Sequence, residues 1–263
     1  MLRHERLNAV LELLAERGTL SVEDICAEFH ISPATVRRDL DELATQQLVA
    51  RTRGGAVAQS VTYDLPLRYK NVRQPAEKHR IATAAAGLVQ RGEVVGLNGG
   101  TTNSEVARCL ATRADLSAEI RAGAPSFTVV TNALNIANEM TVRPHIKIVV
   151  LGGVARPQSY ELVGPLGRQV LNELTMDILF LGVDALSATA GAAATHEGEA
   201  QVNHNMVTRA RRIVVVADSS KLGQRAFCTI CDTRSIDLLI TDTGADKSEV
   251  EALRHAGVEV RVV

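Results

Sequence analysis

The stretch GLNGGTTN, residues 96–103, sets two glycines and two threonines between an aliphatic run and a helical pattern. That combination suits the capture of an anion. Gly99 and Gly100 let the backbone approach a ligand closely. The N–H groups that open the following helix point outward, and the helix dipole favours negative charge there. Thr101 and Thr102 add hydroxyl donors. Two other phosphate loops are excluded by spacing: no G-x-x-x-x-G-K-[ST] segment occurs here, and G-x-G-x-x-G fails because Asn98 stands where its second glycine belongs. Similar groups end other aliphatic runs. Thr131 and Asn132 end VVTN, Gly152 and Gly153 end VVLGG, Asp184 lies in LGVDAL, and Asp218, Ser219 and Lys221 lie in VVADSSKLG. Such groups suit sugar hydroxyls and a phosphate, with Lys221 as a point charge. Glu197 and Glu199 stand near a helix start, where a carboxylate equally well satisfies the dipole.

A second chemistry lies some sixty residues earlier, in ISPATVRRDL. Ser32 is placed to cap a helix whose first position is Pro33. Val36, Leu40 and Leu43 share its inner face, which leaves Thr35, Arg37 and Arg38 outward on the first turns. Side chains there can reach base edges in a major groove, Arg pairing with guanine and Thr meeting a thymine methyl or a phosphate. The preceding segment, SVEDICAEFH, reads as a short helix capped by Ser21 with Asp24 reciprocating. After the third helix, LVARTRGGAVA predicts a strand, a Gly-Gly turn and a strand, with Arg51 and Arg53 near the tip for phosphate or minor-groove contacts. Residues 1–57 nevertheless hold seven Lys/Arg against nine Asp/Glu. One copy should therefore hold DNA weakly, which predicts a homo-oligomer, a dimer or a tetramer.

These residues need elements to position them. Hydrophobic residues make up 46% of the 263 and aromatics 3%, so the core must be aliphatic. Net charge is −1, so no global basic field marks the chain and any nucleic-acid contact must be local. RHERLNAVLELLAERG predicts a first helix through Leu7, Val10, Leu11 and Leu14. From residue 76, aliphatic runs alternate with helical patterns: EVVGLN, FTVVTN, IKIVVLGG, MDILFLGVDAL, RIVVVADSS, IDLLITD and VEVRVV read as strands. Their continuous apolar character predicts a mostly parallel sheet buried on both faces, with ligands at the strands' carboxyl ends. The fold expected is α/β: an N-terminal winged helix-turn-helix at 1–57, a locally basic connector at 58–74, and a larger α/β sensor at 75–263. No apolar run reaches the ~18 residues of a membrane span, and MLRHERLNAV lacks a signal peptide's apolar stretch. A cytoplasmic location and reduced cysteines are expected. Cys228 and Cys231 in CTIC have no second ligand pair nearby, so packing rather than metal is expected.

GTLSVEDICAEFHISPATVRRDLDELATQQLVARTRGGAV resembles the winged helix-turn-helix of DeoR-type bacterial transcriptional regulators. GLNGGTTN, TNALNIANEM, GVDAL, EGEA, ADSSKLGQRAF and IDLLITD match, in order, the effector-sensing domain of the same family, which is related to ribose-5-phosphate isomerase. The resemblance covers essentially the whole chain. It implies double-stranded operator DNA and a phosphorylated sugar as partners, with Gly100, Thr101, Thr102, Lys221 and Lys78 holding that sugar and no cofactor or metal. Asn98, Gly99, Thr131, Asn132, Gly153, Asp184 and Glu199 complete the expected effector set. The resemblance implies a repressor of a carbohydrate catabolism operon. The alternative is an isomerase-like enzyme carrying a DNA-binding module, with Asp184 or Glu199 as its base. The acidic cluster and Gly-rich lysine loop such an enzyme would need are absent, alanines filling SATAGAAATHEGEA instead. Four positions depart from the family: Asn98-Gly99 replaces its usual Asp-Ser, Gln47 its glycine, and Arg53 its histidine.

Overall fold

Leu7, Val10, Leu11 and Leu14 recur on one stripe of helix α1 (Arg3–Arg17), and all four are buried. Gly18 closes α1 at φ 72°, its N–H bonded to the Leu14 carbonyl at 2.8 Å. The computed structural model describes residues 2–46, 48–58, 74–117 and 125–263. Within these the chain divides into two compact units, Met1–Arg73 and Gln74–Val263. Most of the expected connector, with Gln47, lies outside the described residues.

In the first unit, β1 (Thr19–Ser21) leads into α2 (Val22–Phe29), α3 (Pro33–Thr45), β2 (Val49–Arg51) and β3 (Gly55–Ala58). Ser21 accepts from the Asp24 N–H while Asp24 accepts from the Ser21 N–H, the reciprocal cap its spacing predicted. These bonds, the Ser21 hydroxyl foremost, lower the Asp24 pKa. Ser32 caps α3 through the Thr35 N–H. Val36, Leu40 and Leu43 bury the inner face against α1. The hairpin β2–β3 gains a third strand, giving the order β1-β3-β2. A three-residue strand is too short to show a period in sequence. Its neighbour explains the second glycine of RGGA: a Cβ on Gly55 would collide with the Leu20 carbonyl.

The second unit opens with α4 (Pro75–Ala86), β4 (Val94–Leu97), α5 (Thr101–Thr112) and the short α6 (Ala114–Ser117). Then come β5 (Phe127–Thr131), α7 (Leu134–Thr141), β6 (Ile146–Val150), β7 (Val154–Ala155), β8 (Leu162–Val163) and α8 (Arg168–Asn172). They are followed by β9 (Ile178–Leu181), β10 (Ala185–Ser187), β11 (Gly191–Ala194), α9 (Glu197–Val207), β12 (Ile213–Val216) and β13 (Cys228–Cys231). The chain continues through β14 (Leu238–Thr241), α10 (Lys247–His255) and β15 (Glu259–Val262). Seven strands form one sheet in the order β15-β14-β12-β9-β4-β5-β6, every neighbouring pair parallel. The strands stay apolar because helices cover both faces, and two aliphatic cores result.

From β4 the chain winds one way to β5 and β6, then crosses back to β9 and winds the other way. The β4–β9 pair is therefore the topological switch point, where such sheets open a crevice at their carboxyl ends. One departure from the sequence reading lies here. MDILFLGVDAL is not one strand: it breaks after Leu181, and Gly182–Asp184 turn the chain into β10, which joins β11 and β13 in a separate antiparallel sheet. The alanine-rich segment with no expected element supplies β11, and CTIC is β13 itself.

Candidate functional sites

Ion pairing sorts the arginines of the first unit. Arg6 grips Asp39 bidentately, Nε to Oδ2 at 2.6 Å and Nη2 to Oδ1 at 3.1 Å, tying α1 to α3. Arg3 lies 3.9 Å from the same carboxylate and pairs with Glu42, and Arg17 lies 3.4 Å from Glu28. Arg51, expected to contact DNA, makes two bonds within the unit. Its Nε meets Asp41 of α3 at 2.9 Å and its Nη1 donates to the Gly55 carbonyl at 2.7 Å. Arg37, Arg38 and Arg53 are exposed and have no hydrogen-bond or carboxylate partner among the described residues. The acidic residues among 1–57 thus help to hold helices and wing together, and among the described residues three uncommitted guanidinium groups remain on α3 and beside the Gly54–Gly55 turn. Ser21 and Ser32, also expected among the DNA-binding residues, act as helix caps, and Thr35 shares a 3.0 Å hydrogen bond with the Ser32 hydroxyl.

The glycine-threonine stretch lies at the switch point. Gly100 is the N-cap of α5 at φ 108°, and a Cβ there would meet nothing within 4 Å, so that side of the loop is open. Thr101 is half-buried beside it and Thr102 is buried. The Ser104 hydroxyl donates to the Gly100 carbonyl at 2.9 Å and receives the Asn135 amide at 2.8 Å, which fixes the loop's shape. Asn98 is spent on the scaffold. Its Oδ1 accepts from the Gly182 N–H at 2.7 Å and its Nδ2 donates to the Gly182 carbonyl at 3.0 Å, clasping β4 to β9. An aspartate could not make the second bond.

Two lysines approach from the β12 side. Lys78, in the first turn of α4, is buried with Nζ 3.9 Å from Asp218 Oδ2. Lys221 is half-buried in the turn after β12 and makes no hydrogen bond or ion pair among the described residues. Thr131 is buried and accepts from the Ala133 N–H at 3.0 Å. Gly153 plays a packing part: a Cβ there would strike the Val163 backbone across the β7–β8 hairpin. Asp184 accepts from the Thr195 N–H at 2.8 Å. Glu199 is buried and receives Arg156 Nη1 at 3.1 Å.

Sequence reasoning missed Glu161. The chain crosses the end of β5, the Leu134 N–H donating to the Tyr160 carbonyl and the Leu162 N–H to that of Asn132. This swings Glu161 over Gly99. A Cβ on Gly99 would collide with Cγ, Cδ and Oε1 of Glu161, so glycine is what admits the carboxyl group. Asn132 Nδ2 donates to Glu161 Oε2 at 2.8 Å. Burial, then the charges of Glu199 and Asp184, push the Glu161 pKa up to about 8 against the opposing hydrogen bonds from Asn132 and Gly99. Glu161 accordingly holds its proton more tightly than an ordinary carboxylic acid. Nothing in PQSYELVG marked it, because its role arises from a tertiary crossing. The Cys231 thiol is pushed up to about 11, mainly by burial, which makes it a poor thiolate and a packing residue.

Two family models match the chain: the DeoR-like helix-turn-helix domain over residues 6–62, and the DeoR C terminal sensor domain over 73–243. A putative aga operon transcriptional repressor of Escherichia coli O157:H7 is 35% identical over 98% of this chain and 93% of its own length. The glycerol-3-phosphate regulon repressor of Escherichia coli K12 is 27% identical over the full length of both. A solved ribose 5-phosphate isomerase A from Methanocaldococcus jannaschii is a distant match, 21% identical over 55% of this chain and 52% of that one, with a TM-score of 0.40. Among the described residues no helix is long and apolar enough to cross a membrane. Both family models and the full-length relatives mark a regulator rather than an enzyme, and the chain belongs to the DeoR family of transcriptional regulators.

Proposed function

We propose that the protein is a repressor of a carbohydrate catabolism operon whose hold on its operator is set by a phosphorylated sugar. The observation that carries this reading is the open Gly100 nest at the switch point, with Lys78 and Lys221 on its β12 side, in a chain whose other unit displays Arg37, Arg38 and Arg53. The outward N–H groups of α5 and the Thr101 and Thr102 hydroxyls receive the phosphate, and the lysines neutralise it. Asp184, Glu199 and Asn132 border the space for the sugar. The head places the N-terminal turns of α3 in the major groove and Arg53 on the backbone. A dimer or tetramer engages half-sites about 10 bp apart or a multiple of that.

A coupling of ~1–3 kcal/mol between the two sites changes operator affinity roughly 5–150-fold. The test is operator binding by the wild type and by Thr101→Val with Lys221→Ala, with and without a panel of phosphorylated sugars. The double variant is expected to bind DNA normally and to ignore every ligand. Operator affinity that no phosphorylated sugar alters in the wild type rejects the reading.

A further inference from the structure

Helices α4 and α5 face each other through two pairs of side chains, each pair one turn apart. His79 and Thr83 stand four residues apart on α4, and Glu105 and Cys109 four residues apart on α5, so each pair shares a helix face. Ile81 and Ala85 of α4 join Val106 and Leu110 of α5 in one apolar core. At the helix surfaces His79 Nδ1 lies 2.9 Å from Glu105 Oε1, and the Cys109 thiol lies 3.9 Å from the Thr83 hydroxyl. One ring nitrogen of His79, one carboxylate oxygen of Glu105 and the Cys109 sulfur all lie within 4.8 Å of one another. Among the described residues this is the group of His, Cys and carboxylate side chains that converges so closely. No ligand spacing marks it in the sequence, because His79 and Glu105 are 26 residues apart.

The group is prepared for an ion in three ways. Glu105 is oriented from behind: its Oε2 receives Arg108 Nη1 at 2.9 Å, which leaves Oε1 toward His79. Cys109 is half-buried, and its long contact with Thr83 joins a weak sulfur donor to a hydroxyl, so the thiol is not otherwise engaged. The His79 side chain is 64% exposed, which gives the ring room to turn and an ion a way in. Tetrahedral zinc sets nitrogen, oxygen and sulfur ligands at about 2.0–2.3 Å, and hence about 3.3–3.7 Å from one another. A side-chain rotation brings the three atoms to that spacing. Their chemistry selects the ion. Magnesium and calcium take oxygen ligands, whereas imidazole with a thiolate suits zinc and its first-row neighbours. Glu105 and a Cys109 thiolate together offset two positive charges, and three protein ligands leave the fourth position to water. We propose that His79, Glu105 and Cys109 form a site for a divalent transition metal of the zinc class. The ion clasps α4, the first helix of the sensor unit, to α5, the helix that starts at the Gly100 turn.

The test uses the full chain, reduced and stripped with a chelator, and titrates it with Co2+. Cobalt takes the same ligands as zinc and reports a thiolate ligand by a charge-transfer band in the near ultraviolet. A single equivalent is expected to bind with that band present, and Zn2+, which follows Co2+ in affinity order, is expected to displace it. Zn2+ should also raise the melting temperature of the wild type. Cys109→Ser is expected to abolish the band. His79→Ala and Glu105→Ala are each expected to weaken binding at least about tenfold and to remove the melting shift. His79 is a surface side chain, so His79→Ala keeps the fold and reads the site even where another variant does not fold. Stripped protein that takes up no Co2+ overturns the proposal. A band that survives Cys109→Ser overturns it too, since the ion then sits on Cys26, Cys228 or Cys231. Neither result touches the effector reading, which rests on operator binding with phosphorylated sugars and no metal.

Discussion

Glu161 rests its carboxyl group on the backbone of Gly99, so closely that no side chain fits between them. The contact joins the β7–β8 excursion to the Gly99–Gly100 loop, two segments that sequence order keeps far apart. Because Gly99 is not among the glycines in the left-handed region, alanine there is opposed by sterics alone.

Gly99→Ala should therefore displace Glu161 or the nest. The expected cost is about 1–3 kcal/mol of sensor stability, as for other overpacked sites, together with loss of the sugar phosphate response. Operator binding without ligand should persist, since Gly99 belongs to the second compact unit. Urea unfolding and an operator-binding assay check the two halves separately, and a retained response would show that the nest tolerates the methyl group.

Glu161 also predicts a pH dependence. Between its ordinary value of 4.5 and its folded value of about 8, the native state keeps a proton that the unfolded chain has released. Stability from this group is thus fully present below 4.5 and declines as pH rises through the window, by up to ~1.4 kcal/mol per unit. Glu161→Gln should flatten that slope between pH 5.5 and 7.5. Identical slopes in the variant and the wild type would mean that Glu161 is ionised at neutral pH.

Arg38 and Arg51 should separate recognition from architecture. Arg38→Ala is expected to weaken specific operator binding by ~1–3 kcal/mol if it reads a guanine, with no change in melting temperature. Arg51→Ala should instead loosen the wing, because it removes the 2.9 Å pair with Asp41, and its melting temperature should fall. Arg53→Ala should weaken binding to all sequences and lower the salt slope by about 1. Fluorescence anisotropy at several salt concentrations distinguishes the three.

Arg6→Ala should be the most damaging change in the head. It strands Asp39, which is 2% exposed, and breaking a buried pair from one side costs about 3–5 kcal/mol. Arg3, 3.9 Å from the same carboxylate, should hold the loss to about 3 kcal/mol, the low end of that range. Asp39→Asn should cost less, since it removes the buried charge itself. Chemical denaturation of the three forms gives the order directly.

What could be read from sequence followed from periodicity and local spacing. The leucine stripe of α1, the Ser21 and Ser32 caps and the aliphatic strands carry their signals within a dozen residues, and each stands where those signals placed it, except that MDILFLGVDAL breaks after Leu181. The glycine pair was legible as the turn between a buried strand and the helix that follows it. What escaped depends on partners distant in sequence. Arg51 and Arg53 are alike as letters, yet one meets Asp41 across the fold and the other does not. Alanines 192–194 have no period, and only pairing with β10 and β13 makes them a strand. Asn98 looked like a lost ligand carboxylate, and its bonds to Gly182 show an amide used as a clasp.

Lys78 stands only four residues into the sensor unit, which begins at Gln74, and its ammonium is held 3.9 Å from Asp218. Under the proposed reading, an incoming phosphate would compete with Asp218 for that ammonium, and occupancy of the crevice would register in the first turn of the helix that opens the sensor.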